Sequence, residues 1–197
     1  MNDAAHRHLP RSLDLDGEAI ELRAMSGADE AAVLVFANAA PAHDLLFLDR
    51  DITHPKVVKA WVREIEAGTI ITVLAWRGEA IVGCAAIFRD PLSWSGHVAE
   101  IRVVLLDSLR GKGLGRLLTE EAFATALGQG AEKITARMTL DQKGAIAVFE
   151  GLGFTLEAML RDQVKDRAGR KHDLLILSHD VARMSAQHEA YGLGEAF

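Results

Sequence analysis

The feature that most constrains this chain is a glycine-rich turn between a predicted strand and a predicted helix. Residues 98–105 are mostly apolar and β-branched, whereas residues 113–127 carry apolar side chains at helical spacing. Glycines allow the backbone to turn tightly, and a helix that starts there directs free amides and a positive dipole towards the turn. The segment therefore predicts a pyrophosphate site, with the sequence Arg110, Gly111, Lys112, Gly113, Leu114, Gly115.

Two common phosphate-binding loops do not fit this turn. A Walker loop requires Ser or Thr after its Gly-Lys pair, but Lys112 is followed by Gly113. A dinucleotide fingerprint requires a small residue three positions after its second glycine, where this chain has Leu118, and no acidic ribose anchor follows. Both interpretations are disfavoured.

Two motifs together resemble the GNAT superfamily of acyl-CoA-dependent N-acyltransferases. The first is Arg-x-x-Gly-x-Gly after a strand. The second is residues 142–154, where a helix ends near an aromatic residue, Phe149, and the pair Gly153-Phe154 follows after three further residues. The resemblance covers about residues 20–179. It implies a single α/β domain whose mixed central sheet of about six or seven strands is flanked by helices. It also implies acetyl-CoA as co-substrate and direct transfer of the acetyl group to a primary amine of a small molecule or a protein.

Hydrophobic periodicity and turn residues predict the order of elements. We expect a flexible leader at 1–18, an N-acetyltransferase domain at 19–180 and a tail at 181–197. Ser26 and Asp29 form a predicted capping box for the first helix. The predicted strands are 19–24, 70–76, 80–88, 98–105, 133–138, 154–164 and 173–178, and the predicted helices end near 39, 67, 127 and 152.

Composition excludes several classes of protein. The 197 residues include 28 acidic and 22 basic side chains, a net charge of −6, and no sustained basic block, which argues against a nucleic-acid-binding protein. No apolar signal core and no uncharged run long enough to cross a membrane is present, so we expect a cytoplasmic protein. The single cysteine, Cys84, indicates a reducing compartment and is expected to be a buried apolar residue.

The cofactor-binding residues follow from the turn and from the resemblance. Backbone amides in the turn could hold the pyrophosphate of coenzyme A, and the resemblance implies that the backbone of Val103 and Leu105 pairs with the pantetheine arm. The turn amides are those of Gly111, Gly113, Leu114, Gly115 and Arg116.

Two positions depart from the family pattern. Gln142 replaces an asparagine that often contacts the pantetheine arm, and a longer amide could make the same hydrogen bond or lie exposed at the helix start. Phe149 replaces a tyrosine that can protonate the leaving thiolate. Phenylalanine has no proton to give, so it can only pack beside the thioester or in the helix core. Water or Tyr191 would then supply the proton.

An amine acceptor with a pKa of about 10.4 is mostly protonated at neutral pH, so catalysis requires a proton acceptor. Glu100 lies in an otherwise apolar strand and matches the position that some family members use as general base. An ion pair with Arg102 or His97 is the alternative role. His97 is a weaker candidate base, and the histidines, including His172 and His179, do not have the spacing of metal ligands.

The acceptor itself is left open by the sequence. Three loop carboxylates could attract a cationic amine or could simply face water: Asp44, Asp49 and Asp51. A non-catalytic CoA-binding module and an unrelated phosphate-binding protein remain alternatives, and a homodimer is common among similar folds.

Overall fold

The computed structural model describes residues 9–182, which form eight strands and four α-helices. The strands are β1 (Arg11–Leu15), β2 (Glu18–Ala24), β3 (Ile70–Arg77), β4 (Ala80–Phe88), β5 (Val98–Leu105), β6 (Lys133–Thr139), β7 (Thr155–Lys165) and β8 (Lys171–Asp180). The helices are α1 (Glu30–Ala39), α2 (Pro55–Glu66), α3 (Leu114–Gly128) and α4 (Lys143–Gly151). Seven strands and all four helices lie where the sequence predicts them.

The strands form one mixed sheet in the order β1-β2-β3-β4-β5-β6-β8-β7. All neighbouring pairs are antiparallel except β5 and β6, which are parallel. This arrangement confirms the predicted α/β class with a mixed sheet, and it adds one strand to the upper estimate of seven.

The predicted flexible leader at 1–18 is corrected for its described part, residues 9–18, which contains the additional strand β1. Strand β1 pairs with β2 through a tight turn at Asp16 and Gly17, whose φ values are 53° and 82°. An Asp-Gly pair with two positive φ angles is the preferred connection of a two-residue hairpin. The sheet therefore begins at Arg11, and the predicted tail lies outside the described residues except for 181–182.

Helices cover both faces of the sheet. One apolar cluster joins α3 and α4 to the strands, with Leu114, Leu118 and Ala122 fully buried. A second cluster joins α1 and α2 to the other face, where the indole N–H of Trp61 donates to the Thr72 hydroxyl at 3.1 Å. Among residues 9–182, no helix combines the length and the apolar character needed to cross a lipid bilayer.

The sheet opens between β5 and β6. Their parallel pairing runs from Val98 opposite Lys133 to Ile101 opposite Ala136. Both strands then continue, β5 beside β4 as far as Leu105 and β6 beside β8 as far as Thr139. A gap therefore widens between the carboxyl ends of the two strands, immediately before the glycine turn.

The packing of α3 gives a stability prediction. Leu118 is fully buried, and its replacement by alanine should lower the free energy of unfolding by about 2–5 kcal/mol through lost burial and a residual cavity. Val35 on α1 is 72% exposed, and Val35→Ala should change the free energy of unfolding by less than about 0.5 kcal/mol. Urea unfolding of the two variants measures the difference, and equal midpoints would contradict the described packing.

Candidate active site

The glycine turn lies at the open end of the sheet. A short 3-10 helix at Asp107–Leu109 follows β5, and α3 then begins at Leu114 with Gly113 as its N-cap. Gly111 and Gly113 have φ values of 72° and 88°, a backbone conformation that side chains with a Cβ rarely adopt. The first-turn amides of α3 have no acceptor within the helix, so they are available to an anion in the gap.

A cavity of about 530 Å³ occupies the gap between β5, β6 and the turn. Nine of the eleven predicted cofactor residues line it: Val103, Leu105, Arg110, Gly111, Gly113, Gly115, Arg116, Gln142 and Phe149. The other two do not line it. Leu114 is fully buried in the core, and the Lys112 ammonium lies 3.9 Å from a Glu18 carboxylate oxygen.

Asp44 is a residue of this cavity that the sequence suggested only as a loop carboxylate. It is 8% exposed, forms an ion pair with Arg110, and accepts a hydrogen bond from the Gln142 side chain at 3.3 Å. The side-chain carbonyl oxygen of Gln142 in turn accepts a hydrogen bond from the backbone amide of Thr139 at 2.9 Å. These contacts join the loop before α2 to the end of β6 and the start of α4, so they close one side of the cavity.

Phe149 is buried at the inner wall of the cavity. Its ring packs edge-on against Phe154, with the ring centres 5.0 Å apart. It thus lines the cavity and belongs to the helix core at once. Tyr191, the alternative proton donor, lies outside the described residues.

A second cavity of about 480 Å³ lies against the other face of β5. Side chains alternate across a strand, so Glu100, Arg102 and Val104 line this cavity whereas Val103 and Leu105 line the first. Val104 lines both. The remaining walls combine apolar side chains with polar and charged ones. The apolar ones include Ile52, Val57, Trp61, Ile70, Cys84 and Phe88, and the charged ones include Arg50, Glu64, Arg89 and Asp90.

Glu100 belongs to a network of four charged side chains between the two cavities. Its carboxylate accepts from Arg102 Nε at 2.6 Å and from Arg137 Nη2 at 2.8 Å. Arg137 also contacts Asp49 at 2.9 Å, and Arg102 forms an ion pair with the same carboxylate. The Arg102 guanidinium stacks over the Phe88 ring at 4.1 Å. The predicted Glu100–Arg102 pair is therefore present, and Arg137 is an additional partner contributed by β6.

The network favours the charged forms of Asp49 and Arg137. Partial burial raises the pKa of Asp49, but hydrogen bonds from Arg137 and Arg102 outweigh it and hold that pKa below its ordinary value. Burial also lowers the pKa of Arg137, but the negative charge of Glu100 and the hydrogen bonds to Asp49 and Glu100 together outweigh that effect, so the net shift is upward. Both arrangements favour ionised groups at neutral pH.

Three histidines, His97, His172 and His179, contact other parts of the fold. The His97 carbonyl accepts the Glu132 amide at 2.8 Å, His172 pairs with Asp166 at 3.0 Å, and the His179 ring packs edge-on against Phe123. Within the described range 9–182, no group of three or more His, Cys, Asp or Glu side chains is arranged to hold a metal ion.

Cys84 lies in the wall of the second cavity and gives a reactivity prediction. Burial raises the pKa of its thiol to about 12, so at pH 8 fewer than about one thiol in a thousand is ionised. Ellman's reagent should therefore react with native protein at least about 100-fold more slowly than with protein unfolded in guanidinium. Similar rates would show that the thiol is accessible and ionisable.

An eight-stranded mixed sheet that opens beside a glycine turn, with a cavity on each side of the opening strand, defines an α/β domain with two adjoining candidate sites. The model of the Acetyltransferase (GNAT) family matches residues 39–154, and the chain belongs to this family.

Comparisons with individual proteins agree with this assignment. The chain is 24% identical over 172 residues to Bacillus subtilis "Putative phosphinothricin acetyltransferase YwnH", covering 82% of this chain and 99% of that relative. It is 32% identical over 97 residues to the mycothiol acetyltransferase of Corynebacterium efficiens, covering 49% of this chain and 30% of that relative. This chain thus spans less than a third of the mycothiol acetyltransferases that it matches. The Salmonella typhimurium protein yncA, solved with its cofactor acetyl-CoA, has the same fold, with a TM-score of 0.69 at 21% identity, covering 82% of this chain and 94% of that one.

Proposed function

We propose that this protein is an N-acetyltransferase that transfers the acetyl group of acetyl-CoA directly to a primary amine of a small molecule or a protein. The observation that carries the proposal is the opening of the sheet between β5 and β6 beside the glycine turn. Family membership establishes the class of acetyltransferase, and the site supports the particular donor and acceptor chemistry.

The residues around the gap fit coenzyme A. The unpaired ends of β5 and β6 offer backbone groups to the amides of the pantetheine arm, and the turn amides are suited to its pyrophosphate. A ligand has room to approach the backbone of Gly111 closely, because a Cβ built at this position would meet no atom within 4 Å. Bound acetyl-CoA would supply an activated acetyl carbonyl.

Glu100 is the proposed proton acceptor. Its position between the cavities lets it accept the proton that the amine loses as nitrogen bonds to the acetyl carbon and the carbon–sulfur bond breaks. Both arginines contact the Glu100 carboxylate and so hold it at the wall of the second cavity. Since Phe149 has no acidic proton, solvent is the proposed proton source for the released thiolate.

The direct test is an acetylation assay with purified protein, acetyl-CoA and a broad panel of amines. We expect thiol release above background for a subset of amines, with the acetylated product identified by mass spectrometry, and micromolar binding of CoA by calorimetry. Binding of CoA without turnover of any amine would instead support the alternative, a CoA-binding sensor or partner-binding module. Preference for ATP or a dinucleotide over CoA would contradict both.

Two further expectations belong to this proposal. The homodimer that is common among similar folds predicts a dimeric mass in light scattering. The cytoplasmic location predicted from the sequence is testable by fractionation of the source cells.

A further inference from the structure

The position of Asp49 suggests the chemistry of the acceptor. Its carboxylate binds both Arg102 and Arg137, and the same two guanidinium groups bind Glu100. The four charges balance, and the two arginines are well shielded, with side-chain exposures of 9% and 24%. A pair of buried guanidinium groups that converge on one carboxylate is a strong anion site.

Asp49 is the least fixed member of this network. It lies in the segment between the 3-10 helix at Ala42–Leu45 and α2, and its side chain is 53% exposed. Phe47 and Ile52, on either side of it, are buried in the core. Displacing Asp49 breaks its contacts with Arg102 and Arg137 and involves only the residues between these two anchors.

Building on the proposed function, we infer that Asp49 occupies the subsite for an anionic group of the acceptor, and that the acceptor is an amine bearing a carboxylate close to its nitrogen, as in an amino acid. The acceptor carboxylate displaces Asp49 from Arg102 and Arg137, which conserves the charge balance of the site.

Charge and shape around the subsite support this choice. In a zwitterion the ammonium lies within a few ångströms of the carboxylate, and in the site Glu100 shares both arginines with the anion position. A carboxylate on the arginines would therefore bring its own amino group beside Glu100, the proposed proton acceptor. The wall beyond combines apolar side chains, such as Trp61 and Phe88, with charged ones, such as Arg89, and its apolar part accommodates an apolar substituent on the acceptor.

Matched pairs of amines test the inference. Each pair consists of an amino acid and the amine that lacks its carboxylate: L-phenylalanine and 2-phenylethylamine, L-leucine and isoamylamine, L-methionine and 3-(methylthio)propylamine. We expect kcat/KM to be at least about tenfold higher for the carboxylated member of at least one pair, because a charge-assisted hydrogen bond is lost without it. Equal or higher kcat/KM for the simple amine in every pair would overturn the inference and leave the proposed function standing.

Variants of the subsite give a second test. Asp49→Asn removes the competing internal carboxylate, so KM for the preferred amino acid should fall by about threefold to tenfold with little change in kcat. Arg137→Gln should raise that KM by about tenfold or more. Asp51→Asn is the matched control: Asp51 lies on the same segment, and its contacts are with Thr53 and Arg167, so KM should not change. An unchanged or higher KM in Asp49→Asn would overturn the inference.

Binding separates this inference from the proposed function if no amine is acetylated. Calorimetric titration of the same six compounds into the CoA complex of the wild type and of Asp49→Asn then provides the readout. Tighter binding of an amino acid to the variant, with no change for its simple amine, supports the subsite even though the proposed activity has failed. No difference between the two proteins, or no binding of any amino acid, overturns the subsite.

Discussion

Glu100→Gln is expected to lower kcat by about 10²–10⁴-fold, the usual contribution of a general base, while the Kd for acetyl-CoA stays within about twofold. The amide retains the shape of the side chain but cannot take up the proton of the amine. In the wild type, the two hydrogen-bonded oxygens of Glu100 lie at the wall of the second cavity and not in the cofactor gap. The substitution should therefore leave the donor site unaffected. Steady-state kinetics with the best amine, together with calorimetry, measures both quantities.

A control variant separates the effect on kcat of losing an ion pair from the effect of losing the base. Glu157→Gln is the control, because Glu157 is also ion-paired, to Lys133 at 2.7 Å, yet lies on the edge strand β7 and lines neither cavity. Its kcat should equal that of the wild type. If Glu100→Gln also retained full kcat while remaining folded, Glu100 would have no role in proton transfer.

Gly113→Val is expected to weaken acetyl-CoA binding by about tenfold to a hundredfold, corresponding to one or two charge-assisted hydrogen bonds. Gly113 has a φ of 88° and is the N-cap of α3, so a β-branched residue there forces the turn and the first-turn amides into another orientation. Calorimetric titration with acetyl-CoA measures the effect.

The chain provides a matched control for backbone strain. Gly130 has a φ of 76°, follows the opposite end of α3, and has open space around its Cβ position. Gly130→Val should therefore cost a comparable free energy of unfolding without changing the Kd for acetyl-CoA. Equal losses of affinity in both variants would mean that general destabilisation, and not the geometry of the turn, governs cofactor binding.

The elements were predictable because their signals are local. The predicted bounds of β4 and β5 coincide with those observed, whereas those of α3 differ by one residue at each end and α4 ends one residue earlier than predicted. The β1 hairpin was missed although its Asp16–Gly17 turn is an established local signal, because the polar residues around it concealed a short edge strand. The opening between β5 and β6 depends on pairing across the sheet, and only the resemblance to a family suggested it.

The cofactor cavity and the charged network at Glu100 also differed in how far the sequence predicted them. Most of the cofactor cavity comes from two continuous segments, 101–119 and 136–149, each a strand, a turn and a helix, so nine of its residues could be selected from the sequence. The network at Glu100 combines Asp49, Arg102 and Arg137 from three separate segments. The pair of Glu100 with Arg102 was predictable from their spacing along β5, but no periodicity or spacing indicates the contacts that Asp49 and Arg137 make with them.

By itself the sequence determined the elements and the glycine turn, because period, β-branching and positive φ act over a few residues. Only the tertiary structure decided that the sheet opens beside that turn, that Asp44 pairs with Arg110, and that Asp49 and Glu100 share two arginines. The physical reason is that charge pairing and strand separation depend on which distant segments the fold brings within a few ångströms of one another.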